Sequence, residues 1–278
     1  MKVHFKIAAL LSLFFCSLSA HAWTINSDFE SGNVGDKALG AGAFNEAFKY
    51  TVLSKEFINQ NGSTQSAKVG IDAGTDGWAD WGGAYTFPSN IPEGGEIWFR
   101  AYIYYPANFD FTATGQGLKT LRIHVKNNAT GIGEGMFDAL TTKSGLSVGS
   151  EVASVAYYAN NPRSKWANQG VPVAKGEWHA IEMYVKYIAA PNSGIFRVWQ
   201  DGKLIFEDTL TYTMKTKDSV SDFIYFYTYW NGNAPKTQSC YIDDVVITSD
   251  TPNNVDAKGN RYIGLKYIAP KPATVIVQ

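Results

Sequence analysis

Arg122-Ile123-His124 sets a guanidinium and an imidazole two residues apart, and so on one side of any extended strand. Imidazole is the side chain that ordinarily titrates near neutral pH, so it can take or give a proton. A guanidinium fork holds a carboxylate or sulfate through paired, charge-assisted hydrogen bonds. Tyr225, Tyr227 and Tyr229 repeat a phenol at the same two-residue spacing. A phenol can donate a proton, or accept one where nearby cations lower its pKa. Arg100, Tyr102 and Tyr104, then Glu182, Tyr184 and Lys186, then Arg197 and Trp199 follow the same alternation. Such side chains on one surface would hold an anionic group, pack aromatic rings against flat C–H faces and move a proton.

The elements that must position them read as β-strands. Residues 96–105, 118–126, 179–187, 194–200, 222–230 and 241–248 alternate apolar with polar or aromatic residues and are punctuated by Gly, Pro, Asn and Asp. Asp201-Gly202 predicts a hairpin turn between two of them. Residues 38–47 are the one stretch that reads as a short helix or irregular loop, and a further strand is expected within 262–267. Written face by face, Phe99, Ala101, Ile103, Leu121, Ile123, Val125, Ile181, Met183, Val185, Ile224 and Phe226 form the core side. Arg100, Arg122, His124, Tyr184, Lys186, Tyr225 and their neighbours form the other, predicted to be a single basic and aromatic groove. A solvated outer face is the competing reading, although such a face is ordinarily richer in Thr, Lys, Glu and Ser. Many strands and almost no helix signal predict an all-β chain, one β-sandwich of jelly-roll type with antiparallel sheets and a concave groove.

Composition narrows the classes. The 278 residues are 14% aromatic with 26 Gly, and carry 24 basic against 25 acidic side chains. That balance excludes a general nucleic-acid binder. Lys2, Lys6, the apolar run 7–15 and Ala20-His21-Ala22 read as a signal peptide over residues 1–22, cut after Ala22. The run is too short to span a membrane. Without Lys2 and Lys6 the balance is 22 against 25, a net −3. A secreted or periplasmic monomer is therefore expected, with no membrane association. Cleavage also removes Cys16, His4 and His21, leaving Cys240, His124 and His179, too few for a disulfide or a Cys/His zinc site. His179, beside Trp178 at a strand start, reads as structural. The domain then runs over 23–252, followed by a trailing segment 253–278.

Several stretches together resemble a known family. Residues 95–106 (GEIWFRAYIYYP), 117–124 (GLKTLRIH), 176–179 (GEWH), 197–203 (RVWQDGK) and 241–246 (YIDDVV) are similar to strands of jelly-roll polysaccharide lyases in the concanavalin A-like lectin and glucanase superfamily, of the alginate, glucuronan and heparin lyase type. Arg122-Ile123-His124 stands where alginate lyases carry Gln-x-His, and Tyr225 to Tyr229 lacks the Lys of their Tyr-x-Lys-x-x-x-Tyr strand. The resemblance implies β-elimination on an acidic polysaccharide such as alginate, glucuronan or a glycosaminoglycan, with no cofactor required for the chemistry. Arg122 or Arg100 would neutralise the uronate, and His124, Tyr227 and Tyr229 would share the base and acid roles. Arg100, Tyr102, Tyr104, Glu182, Tyr184, Lys186, Arg197, Trp199 and Tyr225 would bind substrate. A non-catalytic carbohydrate-binding module or lectin with the same groove is the alternative, and a hydrolase using Glu182 a third.

The same resemblance implies a structural Ca²⁺. Phe29-Glu30-Ser31-Gly32 and Asp243-Asp244-Val245 match an early and a late segment that meet at such a site, with Asp28, Glu30, Asp243 and Asp244 as its hard oxygen ligands. Turn acids bonded to backbone amides are the other reading. Gly145-Leu146-Ser147-Val148-Gly149 matches a nucleophile elbow only as a string, because no strand–turn–helix context surrounds it. No Glu-x-Asp-x-x-Glu strand is present, so hydrolysis by paired carboxylates is less expected than elimination.

Overall fold

The computed structural model describes residues 22–38, 51–59, 61–77, 81–112, 117–152, 167–168, 171–190 and 192–266. Residues 1–21 of the expected signal peptide, 39–47 of the expected helix or loop, and the chain beyond 266 lie outside them. All regular structure among the described residues is extended. In chain order the strands are β1 (Thr24–Ser27), β2 (Thr51–Ser54), β3 (Ser66–Ile71), β4 (Gly83–Ile91), β5 (Glu96–Tyr104), β6 (Gly117–Asn127), β7 (Gly133–Thr142) and β8 (Gly145–Ser150). They continue with β9 (Ala167–Asn168), β10 (Trp178–Lys186), β11 (Gly194–Gln200), β12 (Lys203–Thr211), β13 (Ser219–Asn231), β14 (Gln238–Thr248), β15 (Asn254–Val255) and β16 (Arg261–Tyr262).

Two antiparallel sheets form the sandwich. The eight-stranded sheet runs β12-β11-β10-β5-β14-β3-β2, with β1 also paired to β14. The six-stranded sheet runs β4-β13-β6-β7-β8-β9. The chain is thus an all-β jelly-roll sandwich. Asp201 and Gly202 make the β11–β12 turn with φ of 52° and 76°, the left-handed conformation that a two-residue hairpin turn requires. The Gly145–Gly149 string lies inside β8, in no strand–turn–helix elbow.

The core side was legible from alternation. Phe99, Ala101, Ile103, Ile181, Met183 and Val185 from the larger sheet meet Leu121, Ile123, Val125, Ile224 and Phe226 from the smaller, all buried. Phe99 meets Phe226 edge-on at 5.2 Å, and Phe137 meets Phe196 at 5.1 Å. Each such fully buried side chain stabilises the fold by about 1.5–3 kcal/mol.

Several bulges break the alternation, and two of them re-aim residues singled out in the sequence or their neighbours. The β13–β6 register slips between Phe226 and Tyr229, where Tyr227 takes a φ of 47°. A slip changes which residues face outward, and Tyr227 is fully buried in the core, edge-on to Tyr105 at 6.1 Å. The β6–β7 register slips between Lys119 and Leu121. Thr120 turns inward to Tyr105 Oη (3.2 Å) and Thr141 Oγ1 (2.7 Å), while Lys119 turns outward.

The outer face of the larger sheet is covered. Residues 253–266, pinned by the β15–β16 pair, lie across β5, β10 and β11 and seal a second apolar cluster of Trp98, Tyr184, Trp199, Val246 and Ile263. The strand expected within 262–267 is the two-residue β16, paired with β15.

Candidate active site

The expected single groove is divided. Strands β5, β10 and β11 belong to the larger sheet, and β6 and β13 to the smaller. Side chains that leave the core on opposite sheets point away from each other. Arg100, Tyr102, Tyr104, Glu182, Tyr184, Lys186, Arg197 and Trp199 are therefore on the other side of the sandwich from Arg122, His124, Tyr225 and Tyr229. Alternation tells which side chains avoid the core, not which sheet a strand joins.

On the smaller sheet, β6 and β13 pair so that Tyr225 stands opposite Arg122. His124 Nδ1 bonds Asp222 Oδ1 at 2.7 Å, and Lys126 Nζ reaches the other carboxylate oxygen at 2.8 Å. The imidazole stacks on Phe223 at 4.2 Å and 10°. Its Nε2 lies along Gly133, where a β-carbon would stand 3.1 Å away. With Nδ1 committed to Asp222, Nε2 is the nitrogen left to exchange a proton. Burial pushes Asp222 up, but the bonds from His124 and Lys126 outweigh it and hold the carboxyl below its usual range. Tyr225 is pushed up to about 12, first by burial and then by Asp222, against the opposing Arg122. It is a phenol at neutral pH, a proton donor rather than a base.

Arg122 is not available to a substrate carboxylate. Its Nε and Nη2 fork onto Asp138, the latter at 3.2 Å, and Nη2 also reaches Glu151 at 3.1 Å. Burial alone would lower its pKa, yet Asp138 and Glu151 hold it above the usual guanidinium value. Lys119 bonds Glu151 at 3.0 Å and stands 5.6 Å over the Tyr229 ring. Every cation named on this face is thus matched by a carboxylate. Asp222, Asp138, Glu151, Phe223 and Lys119 escaped the sequence reading. Asp222 was visible there as the polar first residue of an expected strand; Lys119 was hidden by the bulge.

On the larger sheet the expected binding residues hold the chain itself. Glu182 accepts the backbone N–H groups of Ile263 (2.5 Å) and Gly264 (3.0 Å), and burial pushes its carboxyl up to about 8 against those two bonds. Arg100 donates to the carbonyls of Gly264 (2.8 Å), Leu265 (3.2 Å) and Asp244 (3.0 Å). Tyr102 Oη donates to Leu265 O, and Trp199 Nε1 to Asp256. Arg197 pairs with Glu207 at 2.7 Å and lies 5.4 Å over Tyr184, and Lys186 is 3.7 Å from Glu96. A backbone segment occupies the place where a sugar was expected. Of these residues, Tyr102 and Tyr104 line a cavity.

Asp243 and Asp244 adjoin in β14, and Asp28 and Glu30 stand near enough to act electrostatically on Asp244. Glu30 accepts from Thr64 and Gln65, Asp244 from Asn59 (3.1 Å) and Asn61 (3.4 Å). Asp243 is fully buried, and its Oδ2 has no partner among the described residues. Burial, then Asp244 and Glu30, push its carboxyl up to about 7 despite Ser63. Phe29 and Asp244 both hold positive φ (57° and 47°) at this point. The hard oxygens and the unpartnered Oδ2 fit Ca²⁺ in chemistry. Among the described residues, however, no three His, Cys, Asp or Glu side chains stand in metal-holding spacing.

No protein-family model matches the chain, and no curated protein matches it. Solved structures do. The alginate lyase Aly36B superposes with a TM-score of 0.55 at 12% identity, over 81% of this chain and 96% of that one. An Aly36B variant in complex with an alginate tetrasaccharide gives the same TM-score at 13% identity over the same shares. The alginate lyase vAL-1 from Chlorella virus gives 0.50 at 14% identity, over 77% and 99%. At these identities the likeness is one of fold: the chain has the jelly-roll sandwich found in polysaccharide lyases.

Proposed function

We propose that the protein is a secreted lyase that cleaves an acidic, uronic-acid-containing polysaccharide by β-elimination on the outer face of the smaller sheet. The observation that carries this reading is the His124–Asp222 pair beside Lys126 and Tyr225. With Nδ1–H directed to Asp222, Nε2 is left to take the C5 proton of the uronate. The electrons of that C–H bond form the C4–C5 double bond as the glycosidic C4–O bond breaks. A phenol, Tyr225 or Tyr229, protonates the leaving oxygen. Lys126, bridged to Asp222, is the cation nearest the dyad for the developing charge. Tyr227 has no such role, because the bulge turns its ring into the core against Tyr105.

The matched cations favour a second reading, a carbohydrate-binding protein without turnover. A uronate would have to compete with Asp138 and Glu151 for Arg122. Incubation with alginate, glucuronan, pectate and glycosaminoglycans separates the two. A rise in ultraviolet absorbance from the unsaturated uronate supports the lyase. Saturable binding with no rise supports the lectin and overturns it.

A structural Ca²⁺ beside Asp243 and Asp244 belongs to the same proposal. It would offset the repulsion that Asp28 and Glu30 exert on Asp244, and that Asp244 and Glu30 exert on Asp243, and partner Asp243 Oδ2. A melting temperature raised by Ca²⁺ and lowered by chelator is expected; no shift in either direction overturns the site.

A further inference from the structure

On the larger sheet, beside Tyr102 and Tyr104, the structure has a cavity of about 570 Å³. It is lined by Phe57, Tyr104 and Trp178, by the amides of Asn59 and Asn61, and by Glu177. The three rings pack as one aromatic surface: Phe57 stacks on Tyr104 at 4.5 Å and 28°, and Trp178 meets Tyr104 at 5.3 Å. Phe57 and Trp178 are only half-buried, so aromatic surface stays open to solvent. The Nδ2 groups of both asparagines donate to Asp244, which leaves their carbonyl oxygens as the acceptors.

The charge around this cavity differs from that of the His124 face. No Lys or Arg lines it among the described residues, while Glu177 is exposed at the rim and Asp244 stands behind the asparagines. Lys68, the cation near Glu56, is bonded to it, and Tyr241 Oη donates to the same carboxylate at 2.6 Å. Arg100, stacked on the lining residue Tyr102, is committed to the carbonyls of Gly264, Leu265 and Asp244. In the chelated, Ca²⁺-free protein a uronate would therefore meet Glu177 and Asp244 with no uncommitted cation among the described residues to offset them, at a cost in affinity. A neutral pyranose meets no such penalty. Its C–H face suits the rings, and its hydroxyls suit the amide carbonyls and Glu177.

We propose that this cavity is a second carbohydrate site, specific for neutral sugar units and separate from the His124 face on the opposite sheet. A protein so built would grip a neutral stretch of a mixed polysaccharide, or a neutral neighbour of its acidic target, with one side of the sandwich. The other side would remain free for the uronate.

The test is equilibrium binding by the full chain, measured by calorimetry or ligand-observed NMR with cellotetraose, mannotetraose and maltotetraose. Tetramannuronate is the competitor. At least one neutral tetrasaccharide is expected to bind saturably and not to be displaced by the uronide. Trp178→Ala should weaken it about tenfold, the loss of one aromatic platform. Asn61 is exposed, so Asn61→Ala should fold normally and weaken binding to a smaller degree, which keeps the test open if Trp178→Ala does not fold. His124→Ala should bind the neutral sugar as the parent does. The readout needs no turnover, so absence of lyase activity leaves the proposal standing. No saturable binding, binding untouched by both cavity variants, or displacement by tetramannuronate overturns it.

Discussion

Two histidine–aspartate pairs of the same length lie on opposite sheets of this sandwich. His124 Nδ1 meets Asp222, and His179 Nδ1 meets Asp201, each at 2.7 Å. The first joins adjacent strands, with a third member, Lys126, on the same carboxylate. The second closes a turn: Asp201 sits at the β11–β12 hairpin with positive φ and also takes the N–H of Ala180 at 2.9 Å. His179 Nε2 is buried without a partner among the described residues. Burial would lower the His179 pKa, but Asp201 outweighs it and raises it. One pairing thus clamps a hairpin, while the other, in the lyase reading proposed above, would hold a ring for proton transfer. A histidine–carboxylate contact is not by itself a catalytic feature. What surrounds the second nitrogen decides.

That contrast can be broken by exchange. His124→Ala should cost at least about a hundredfold in turnover on the uronan that the wild type cleaves. His179→Ala should leave turnover intact and instead lower stability by about 1–3 kcal/mol, read as a fall in melting temperature. Loss of activity in the second variant at a temperature where it is folded would erase the distinction.

The two outer faces differ in the same way. Glu182→Ala would leave two backbone N–H groups and Arg100 without their carboxylate, and should destabilise by about 3 kcal/mol in thermal or urea unfolding. A wild-type melting curve with reduced uronan binding would show instead that Glu182 faces substrate.

A smaller effect is expected at the acid cluster. The Asp243 carboxyl is held at about 7 against an ordinary 3.8. A raised folded pKa means that the native chain binds the proton more tightly than the unfolded one. Its contribution is therefore present at acid pH and lost as pH rises from about 4 to 7. Asp243→Asn cannot ionise. In chelator it should melt above the parent at pH 8 and near it at pH 4, and it should lose any gain from Ca²⁺. The smallest change is expected for Tyr225→Phe, which keeps the ring and removes the hydroxyl. Turnover should fall about tenfold if Tyr225 is the donor and stay level if Tyr229 is.

The sequence by itself determined the class of fold. Alternation in six stretches marked the strands, the Asp201-Gly202 turn and the apolar core, because period-2 burial is a local property of an extended chain. It also singled out His124 as a strand residue directed away from the core. What only the tertiary structure decided is how the strands are shared between sheets. Two strands with the same outward pattern can lie on opposite sides of a sandwich, because strand order depends on contacts between residues far apart in the chain. The bulges at Tyr227 and Lys119 were equally hidden, since one extra residue changes the face of those beside it without changing composition. The covering segment 253–266, which turns Arg100, Glu182 and Trp199 from a binding surface into a buried fastening, is a long-range fact of the same kind.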